Sequence, residues 1–251
     1  MLAEIVAAHR RAAAEDSRDL DGLLAQVEGA PAVRDFRAAL ARPGLSVIAE
    51  VKRRSPSKGA LAPDLDPAEV AEAYAGGGAD ALSVLTDHDY FGGSPADLAA
   101  ARHASGLPVL RKDFTVDPRD LADARAMGAD AVLLIVAALS DAELVLFSAL
   151  ARELGLAALV EVHDGVELAR ALDAGATIVG VNQRDLRTFE IDRSLAARLR
   201  PSIPPGVVAV AESGIRSAAD VADGFDAVLV GESLVTSPDP STAVRELKGG
   251  R

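Results

Sequence analysis

From residue 46 onward the chain alternates short apolar runs with helical stretches, and this alternation constrains the fold more than any other feature. The runs are Ser46–Lys52, Ala81–Thr86, Val109–Phe114, Ala131–Val136, Ala157–Val162, Ile178–Asn182, Val207–Ser213 and Ala227–Ser233. Each is rich in Val, Leu and Ile with little internal alternation, as expected of parallel strands buried on both faces. Amphipathic stretches lie between them: Pro67–Ala75, Ser94–His103, Pro118–Met127, Asp141–Glu153, Val166–Ala174, Leu195–Leu199 and Ala218–Ala222. Asp66, Asp117, Ser140 and Ser217 are suited to N-capping, and Pro67 and Pro118 follow a cap where a missing N–H does no harm. The turns Gly77-Gly78-Ala79-Asp80-Ala81, Met127-Gly128-Ala129-Asp130-Ala131 and Ala174-Gly175-Ala176-Thr177-Ile178 echo one another, each with a glycine just past a helix. Asp223-Gly224-Phe225-Asp226-Ala227 is a weaker copy. Gly76-Gly77-Gly78 precedes a strand, so it reads as a helix stop and not as a dinucleotide or phosphate-loop fingerprint. Eight such units predict a closed (β/α)8 TIM barrel spanning residues 45–251. A doubly wound open sheet would have fewer strands and a glycine-rich first turn.

Residues 1–44 carry no strand pattern. Leu2, Ile5 and Val6, then Leu20, Leu23, Leu24 and Val27, recur at helical spacings, so this segment is expected to be an N-terminal helical extension packed on the barrel. The chain contains no cysteine, which removes thiolate nucleophiles and Cys-ligated metals and fits a reducing, cytoplasmic setting. A net charge of -12 argues against nucleic acid as a partner. No signal-peptide pattern opens the chain, and no apolar run approaches the roughly 20 residues of a membrane helix, so no membrane partner is expected.

In a barrel of this kind the active site lies at the C-terminal ends of the strands. Polar residues collect there. The first run ends in Glu50 and Lys52, the third in Arg111-Lys112-Asp113-Phe114, the fifth in Glu161, the sixth in Asn182 with Arg184 behind it, the seventh in Glu212-Ser213-Gly214 and the eighth in Gly231-Glu232-Ser233. The fourth run ends apolar and is suited to wall a ring. Strand side chains alternate, so Ile48/Glu50/Lys52, Leu110/Lys112/Phe114, Leu159/Glu161, Gly180/Asn182 and Val210/Glu212 each share a face. One cavity would then hold two lysines, three glutamates and an amide.

Phosphate is the expected anchor, because the loops after strands seven and eight bind it in many such barrels through backbone N–H groups and a short helix N-terminus. Here those loops read Ser213-Gly214-Ile215 and Gly231-Glu232-Ser233, with Ser55 of Ser55-Pro56-Ser57-Lys58-Gly59 nearby. His9, His88, His103 and His163 show no ligand spacing, so no metal is expected, and His163 is expected at the rim and not in catalysis. No nicotinamide, flavin or other cofactor is indicated.

Taken in order, Ile48-Ala49-Glu50-Val51-Lys52-Arg53-Arg54-Ser55-Pro56-Ser57-Lys58-Gly59, Phe91-Gly92-Gly93-Ser94, Arg111-Lys112-Asp113-Phe114, Leu133-Leu134-Ile135-Val136, Leu159-Val160-Glu161-Val162-His163, Gly180-Val181-Asn182-Gln183-Arg184-Asp185-Leu186, Ala211-Glu212-Ser213-Gly214-Ile215 and Val230-Gly231-Glu232-Ser233-Leu234 closely resemble the indole-3-glycerol phosphate synthase family. The departures are Gln183, where the family often has Asn, and Val235, where Met is common. The resemblance implies ring closure, decarboxylation and dehydration of 1-(2-carboxyphenylamino)-1-deoxyribulose 5-phosphate, without cofactor or metal. It implies that Lys112 is the acid at ring closure and Lys52 the acid at dehydration. A buried lysine is expected to have a lowered pKa and so to be a better acid. Glu50 and Glu161 would be base and electrostatic stabiliser, in an order left open. Asn182 and Glu212 would orient the substrate, Ser213 would lie beside them, and Arg184 would meet the anthranilate carboxylate or fix Glu161. Pro56, Phe91, Phe114, Leu133 and Leu186 resemble the ring pocket. Ser55, Gly214, Gly231, Glu232 (through its backbone) and Ser233 resemble the phosphate site. The N-terminal helix would partly cover the mouth.

Two rivals remain at this level. An isomerase barrel of the same pathway would use a carboxylate–thiol pair, and this chain has no thiol. A silent scaffolding barrel would be expected to have lost Glu50 or Lys112. The expected partner is a phosphorylated small molecule. The acidic surface is compatible with a monomer that associates at most weakly with other enzymes of the tryptophan pathway.

Overall fold

The computed structural model describes residues 2–185 and 188–249. Among them, eight parallel strands close into a barrel: β1 (Ser46–Val51), β2 (Ala81–Leu85), β3 (Val109–Lys112), β4 (Ala131–Ile135), β5 (Ala157–Val162), β6 (Ile178–Asn182), β7 (Val208–Glu212) and β8 (Ala227–Val230). Each pairs with the next, and β8 returns to β1 through Ser46↔Ala227 to Ala49↔Val230. The strands stop one to three residues short of several sequence-read ends. Phe114 and Ser213 therefore lie on loops and Ser233 in a short helix, all free of the ladder and available to the cavity.

Side-chain alternation divides the apolar residues into two layers. Ala49, Val51, Leu82, Val84, Leu134, Val160, Val179 and Ala211 point outward and pack under the helices. Ile48, Leu110, Leu133, Leu159, Ile178, Val208, Val210 and Leu229 point inward and fill the barrel. The helices on the barrel are α4 (Pro67–Gly76), α5 (Pro95–Ser105), α6 (Pro118–Ala126), α7 (Asp141–Glu153), α8 (Gly165–Asp173), α9 (Leu195–Leu199), α10 (Glu232–Val235) and α11 (Pro240–Gly249). They follow the N-terminal helices α1 (Leu2–Glu15), α2 (Leu20–Gln26) and α3 (Phe36–Leu40). Asp66, Asp117 and Ser140 cap α4, α6 and α7 as their positions predict, the last two in reciprocal capping boxes. Ala218–Ala222 does not form an α-helix. Residues Ala218–Asp220 make one 3₁₀ turn closed by a Ser217/Asp220 capping box.

The repeated turns have a second function that their glycines do not reveal. Asp80 Oδ2 accepts the Val47 N–H at 2.9 Å, Asp130 Oδ2 that of Val109 at 2.8 Å, and Asp226 Oδ2 that of Ala209 at 2.8 Å. In each case the aspartate N–H donates back to the carbonyl of the same residue. The residue before a strand is thereby clamped to the first or second residue of the preceding strand, which sets register at the barrel floor. Asp130 is wholly buried and also accepts from Arg102 Nη2 at 3.0 Å and the Arg34 N–H at 2.7 Å. The extension is thus tied to the same floor.

The N-terminal extension reaches both ends of the barrel. Phe36 and Leu40 of α3 join the inward-facing cluster and plug the floor. At the other end, Leu2 and Ile5 of α1 line the open mouth. Phe36 is 1% exposed, so Phe36→Ala should leave a hole at the floor and cost about 3–5 kcal/mol of unfolding free energy, read as a lowered urea midpoint.

Candidate active site

A cavity of about 580 Å³ opens at the C-terminal ends of the strands. Glu50, Lys52, Lys112, Glu161, Asn182, Arg184, Glu212 and Ser213 line it, together with Ser55, Pro56, Phe91, Phe114, Leu133, Gly214, Gly231, Glu232 and Ser233. Every sequence-read site residue therefore meets in one space except Leu186, which lies outside the described residues. The cavity is also lined by residues that motif reading did not select, among them Lys58, Asp113, Phe189, Ile191, Arg193 and Arg216. Phe189 and Ile191 were detectable only as apolar residues in a loop. That loop turns back on itself through the bridge between Arg184 and Ile191 and brings both over the mouth.

The charges are arranged around Lys112. Its Nζ lies 3.1 Å from Glu161 Oε2 and 3.8 Å from Glu212 Oε2. Lys52 pairs with Glu50 across the same space. Glu50 also faces Ser83 Oγ at 3.5 Å, and its backbone carbonyl accepts from Tyr74 OH at 3.2 Å. Glu161 and Glu212 are 1% and 2% exposed, so this electrostatics operates nearly out of contact with water.

Burial pulls the Lys112 ammonium toward a lower pKa, but attraction from Glu161, Glu212 and Glu50 outweighs it and the net shift is upward. The expectation of a lowered lysine pKa is therefore corrected: three carboxylates against one ammonium override desolvation. Burial would raise Glu161, but Lys112, His163 and Asn182 together hold it well below the usual carboxylate range. Glu212 moves the other way, because burial and the negative charge of Glu161 push its carboxyl up more than Lys112 draws it down. Its Oε1 is buried and has no hydrogen-bond partner.

Asn182 joins the two sides. Its Oδ1 accepts from Ser213 Oγ at 2.7 Å and from the Arg184 N–H at 3.1 Å. Ser213 has a φ of 64°, a left-handed backbone that costs about 1–3 kcal/mol in a residue other than glycine. The Gln183 amide donates to the Ser213 carbonyl at 2.9 Å and helps to hold that turn. The Arg184 guanidinium donates to the Phe189 carbonyl at 3.2 Å and so braces its own loop. Fixing Glu161, one of its two expected roles, falls instead to Lys112 and His163. His163 is not at the rim: it lies 3.4 Å from Glu161, on the side away from Lys112. Glu232 opens α10, and its side chain pairs with Lys58 of the first loop.

Paired arginines hold the rim. Arg53 binds Asp97 at the start of α5, and Arg54 donates to the His88 and Asp89 carbonyls, so the loops after β1 and β2 are tied together. Phe91 and Phe114 stand 6.4 Å apart as two sides of an apolar slot, and the His9 ring lies 5.1 Å from Phe114. His9, Asp87 and Asp113 bring three donor atoms close enough for a cation. The oxygens of both aspartates already accept from His9, Tyr90 N, Phe91 N, Thr86, Arg111 and Phe114 N, which is the chemistry of a structural clamp.

A cavity with an apolar slot, buried acid–base pairs and two glycine loops matches the family seen in the motifs, and comparison decides the matter. The sequence model of the indole-3-glycerol phosphate synthase family matches residues 2–247. The chain belongs to this family. It is 58% identical over 224 residues to indole-3-glycerol phosphate synthase 2 of Streptomyces coelicolor, covering 88% of this chain and 87% of the relative. It is 53% identical over 240 residues to the indole-3-glycerol phosphate synthase of Mycobacteroides abscessus, covering 94% and 88%. Among solved structures it is similar in fold to a thiamine phosphate pyrophosphorylase from Pyrococcus furiosus, with a TM-score of 0.62 at 18% identity over 86% of this chain and 96% of that one. A KGPDC from Streptococcus mutans gives a TM-score of 0.62 at 14% identity, over 82% and 96%. These structural likenesses support the barrel alone.

Two glycines make room for the charges of this family member. A Cβ built on Gly180 would overlap Glu212 Oε1, and one on Gly231 would overlap Glu50 Oε1 and come within 3.1 Å of Lys52 Nζ. Gly180→Ala should fold, because the atom it displaces ends a flexible side chain. It should lower kcat about 100-fold by displacing Glu212 from the Lys112 cluster, a result read by turnover beside an unchanged circular dichroism spectrum.

Proposed function

We propose that the cavity converts 1-(2-carboxyphenylamino)-1-deoxyribulose 5-phosphate to indole-3-glycerol phosphate, CO2 and water, as a carboxy-lyase of tryptophan biosynthesis. The observation that carries this reading is a buried ammonium, Lys112, between two glutamates and opposite a second lysine–glutamate pair, beside an aromatic slot. Curated relatives named for this activity, at 51–58% identity, support it.

The substrate presents a phosphate, an aromatic acid and a ketone, and the site has a counterpart for each. The loops at Gly214 and Gly231, with Ser55 and Ser233, suit the phosphate. The slot of Phe91, Phe114, Leu133 and Pro56 suits the ring. Holding both ends folds the sugar chain so that the carboxylate-bearing ring carbon faces the ketone. As the carbon–carbon bond forms, the ketone oxygen takes a proton from Lys112. An alkoxide is a far stronger base than an amine, so an ammonium of raised pKa still gives up its proton at this step. CO2 then departs, and its bonding electrons restore the ring. Loss of the new hydroxyl as water requires a second acid, and Lys52 is within the same cavity. Glu161, the glutamate held ionised, stabilises positive charge on the anilino nitrogen and accepts a proton. Glu50 orients Lys52. Asn182, Ser213 and Glu212 fix the hydroxyls, and Arg184 is available to the anthranilate carboxylate. Substrate and product are phosphorylated and cross membranes poorly, so the enzyme belongs in the compartment that makes its substrate, which we take to be the cytoplasm.

Indole fluorescence in buffer with EDTA tests this. Wild type should form indole product. Lys112→Met should reduce turnover by about 10²–10⁴-fold while still binding the phosphorylated substrate. Lys52→Ala should accumulate a ring-closed, decarboxylated species before dehydration, detectable by quench and mass analysis. Normal turnover in Lys112→Met would refute the assignment.

A further inference from the structure

His163 has an environment that the reaction above does not use. Its Nδ1 lies 3.0 Å from Glu167 Oε2, and its Nε2 lies 3.4 Å from Glu161 Oε1. Glu167 stands in the first turn of α8 and also accepts the His163 backbone N–H at 2.8 Å, which anchors the ring. The imidazole is 14% exposed. A neutral imidazole has one N–H and one lone pair, so either tautomer would point a lone pair at a carboxylate. Only the doubly protonated ring suits both neighbours. The separation at Nε2 is that of an ion pair longer than a hydrogen bond, a contact that depends on charge.

We infer that His163 is a positioning residue for the family reaction: a charged imidazolium, anchored by Glu167, that keeps Glu161 ionised and turns its Oε2 toward Lys112. The inference rests on the reading of Glu161 as the reacting carboxylate. Glu161 has two oxygens and two cationic neighbours, one on each. Lys112 of β3 holds Oε2, His163 Nε2 faces Oε1 at 3.4 Å without a hydrogen bond, and Asn182 of β6 adds a hydrogen bond. Glu212 of β7 shares Lys112 but has no partner for its Oε1. Two adjacent buried glutamates cannot both remain charged beside one ammonium without cost. The histidine decides which of them does. The titration directions agree: burial disfavours the imidazolium, yet Glu161 and Glu167 outweigh it and push His163 up to about 10.

The sign of the pH effect follows. Glu161 is held below its ordinary value, so its base form persists to low pH and is lost only as pH falls through that depressed pKa. Without the imidazolium, Glu161 moves back up and activity is lost earlier on acidification. In wild type the charged ring persists until pH rises toward about 10.

Two measurements test this. The chain has four histidines, so 15N-labelled wild type gives a small set of imidazole signals, and His163→Asn identifies one of them. That ring should carry two N–H groups at pH 7.5 and remain so to about pH 9; a neutral tautomer at pH 7.5 would overturn the proposal. In the pH profile of kcat/KM, His163→Asn should move the acid limb upward by about one to two units, and His163→Lys should move it back. A uniform loss at every pH with the limb unmoved would mean a structural role only and would also overturn it. Should His163→Asn not fold, Glu167→Gln serves instead: it weakens the hold on the imidazolium and should bring the alkaline limb down, and an unmoved limb counts against the proposal. Glu161→Gln separates the two readings. If that variant turns over with the wild-type profile, Glu161 is not the reacting carboxylate, whatever the charge on His163.

Discussion

Closure of an eight-stranded sheet is the constraint from which the rest follows. It removes every sheet edge and leaves an interior only wide enough for side chains. Inward-facing positions must therefore fill one narrow column. At the floor the column is apolar, and Phe36 and Leu40 seal it. At the mouth it changes to Glu50, Lys112, Glu161, Asn182 and Glu212, contributed by β1, β3, β5, β6 and β7. Their convergence is a matter of register. A slip of one residue on β3 would replace Lys112 with Arg111, whose guanidinium now pairs with Asp113 at 3.0 Å and reaches the Asp120 carbonyl, on the helix side of the wall. The aspartate clamps at the strand starts prevent such a slip, so residues at the floor govern geometry at the mouth.

The mouth works against stability. Three carboxylates and two ammonium groups are concentrated where water barely enters, and desolvation of each ion costs several kcal/mol before pairing offsets it. The pairing is unequal, since three negative groups face two positive ones. The excess is eased at Glu212, where burial and the charge of Glu161 favour the protonated carboxyl, and at His163, which adds a positive charge behind Glu161. Ser213 adds backbone strain at the same place. The apolar column below and the helix layer outside supply the stability that makes such a site tolerable.

Much of this was legible in the sequence, for a physical reason: period-two alternation and position at a strand end are local properties. They suffice to put Glu50, Lys112, Glu161, Asn182 and Glu212 on one face, and N-caps such as Asp117 are equally local. What eluded the sequence depends on which strands become neighbours. The upward shift of Lys112 needs the count of carboxylates around it, and that count exists only once β3, β5 and β7 converge. Asp80, Asp130 and Asp226 were visible as an echo, but their partners lie 33, 21 and 17 residues away on other strands. His163 follows Glu161 at the same parity, and the signal was present. It reads as a rim residue only because Glu167, which turns the ring inward, belongs to the next helix.

The N-terminal extension is attached at its two ends by different chemistry, and this sets how firmly each end holds. At the floor, Phe36 and Leu40 are 1% and 0% exposed, each contributing about 1.5–3 kcal/mol of transfer free energy. At the mouth, α1 buries Ile5 fully and Leu2 and Val6 in part, and polar groups add to its hold: His9 to Asp87 at 3.1 Å, Arg10 to Glu143 at 2.8 Å and the Arg119 guanidinium on the Ala13 carbonyl at 2.7 Å. Arg10 and Glu143 are 40% and 28% exposed, where such pairs contribute about 0–1 kcal/mol and weaken with salt. The floor plug is therefore part of the core, whereas α1 is a cover held by one fully buried apolar side chain, Ile5, and by polar pairs. The Asp87 that holds His9 also accepts the Tyr90 and Phe91 N–H groups, and the His9 ring lies against Phe114. The cover and the aromatic slot thus share the same few side chains, and the position of α1 bears directly on the walls of the slot proposed for the substrate ring.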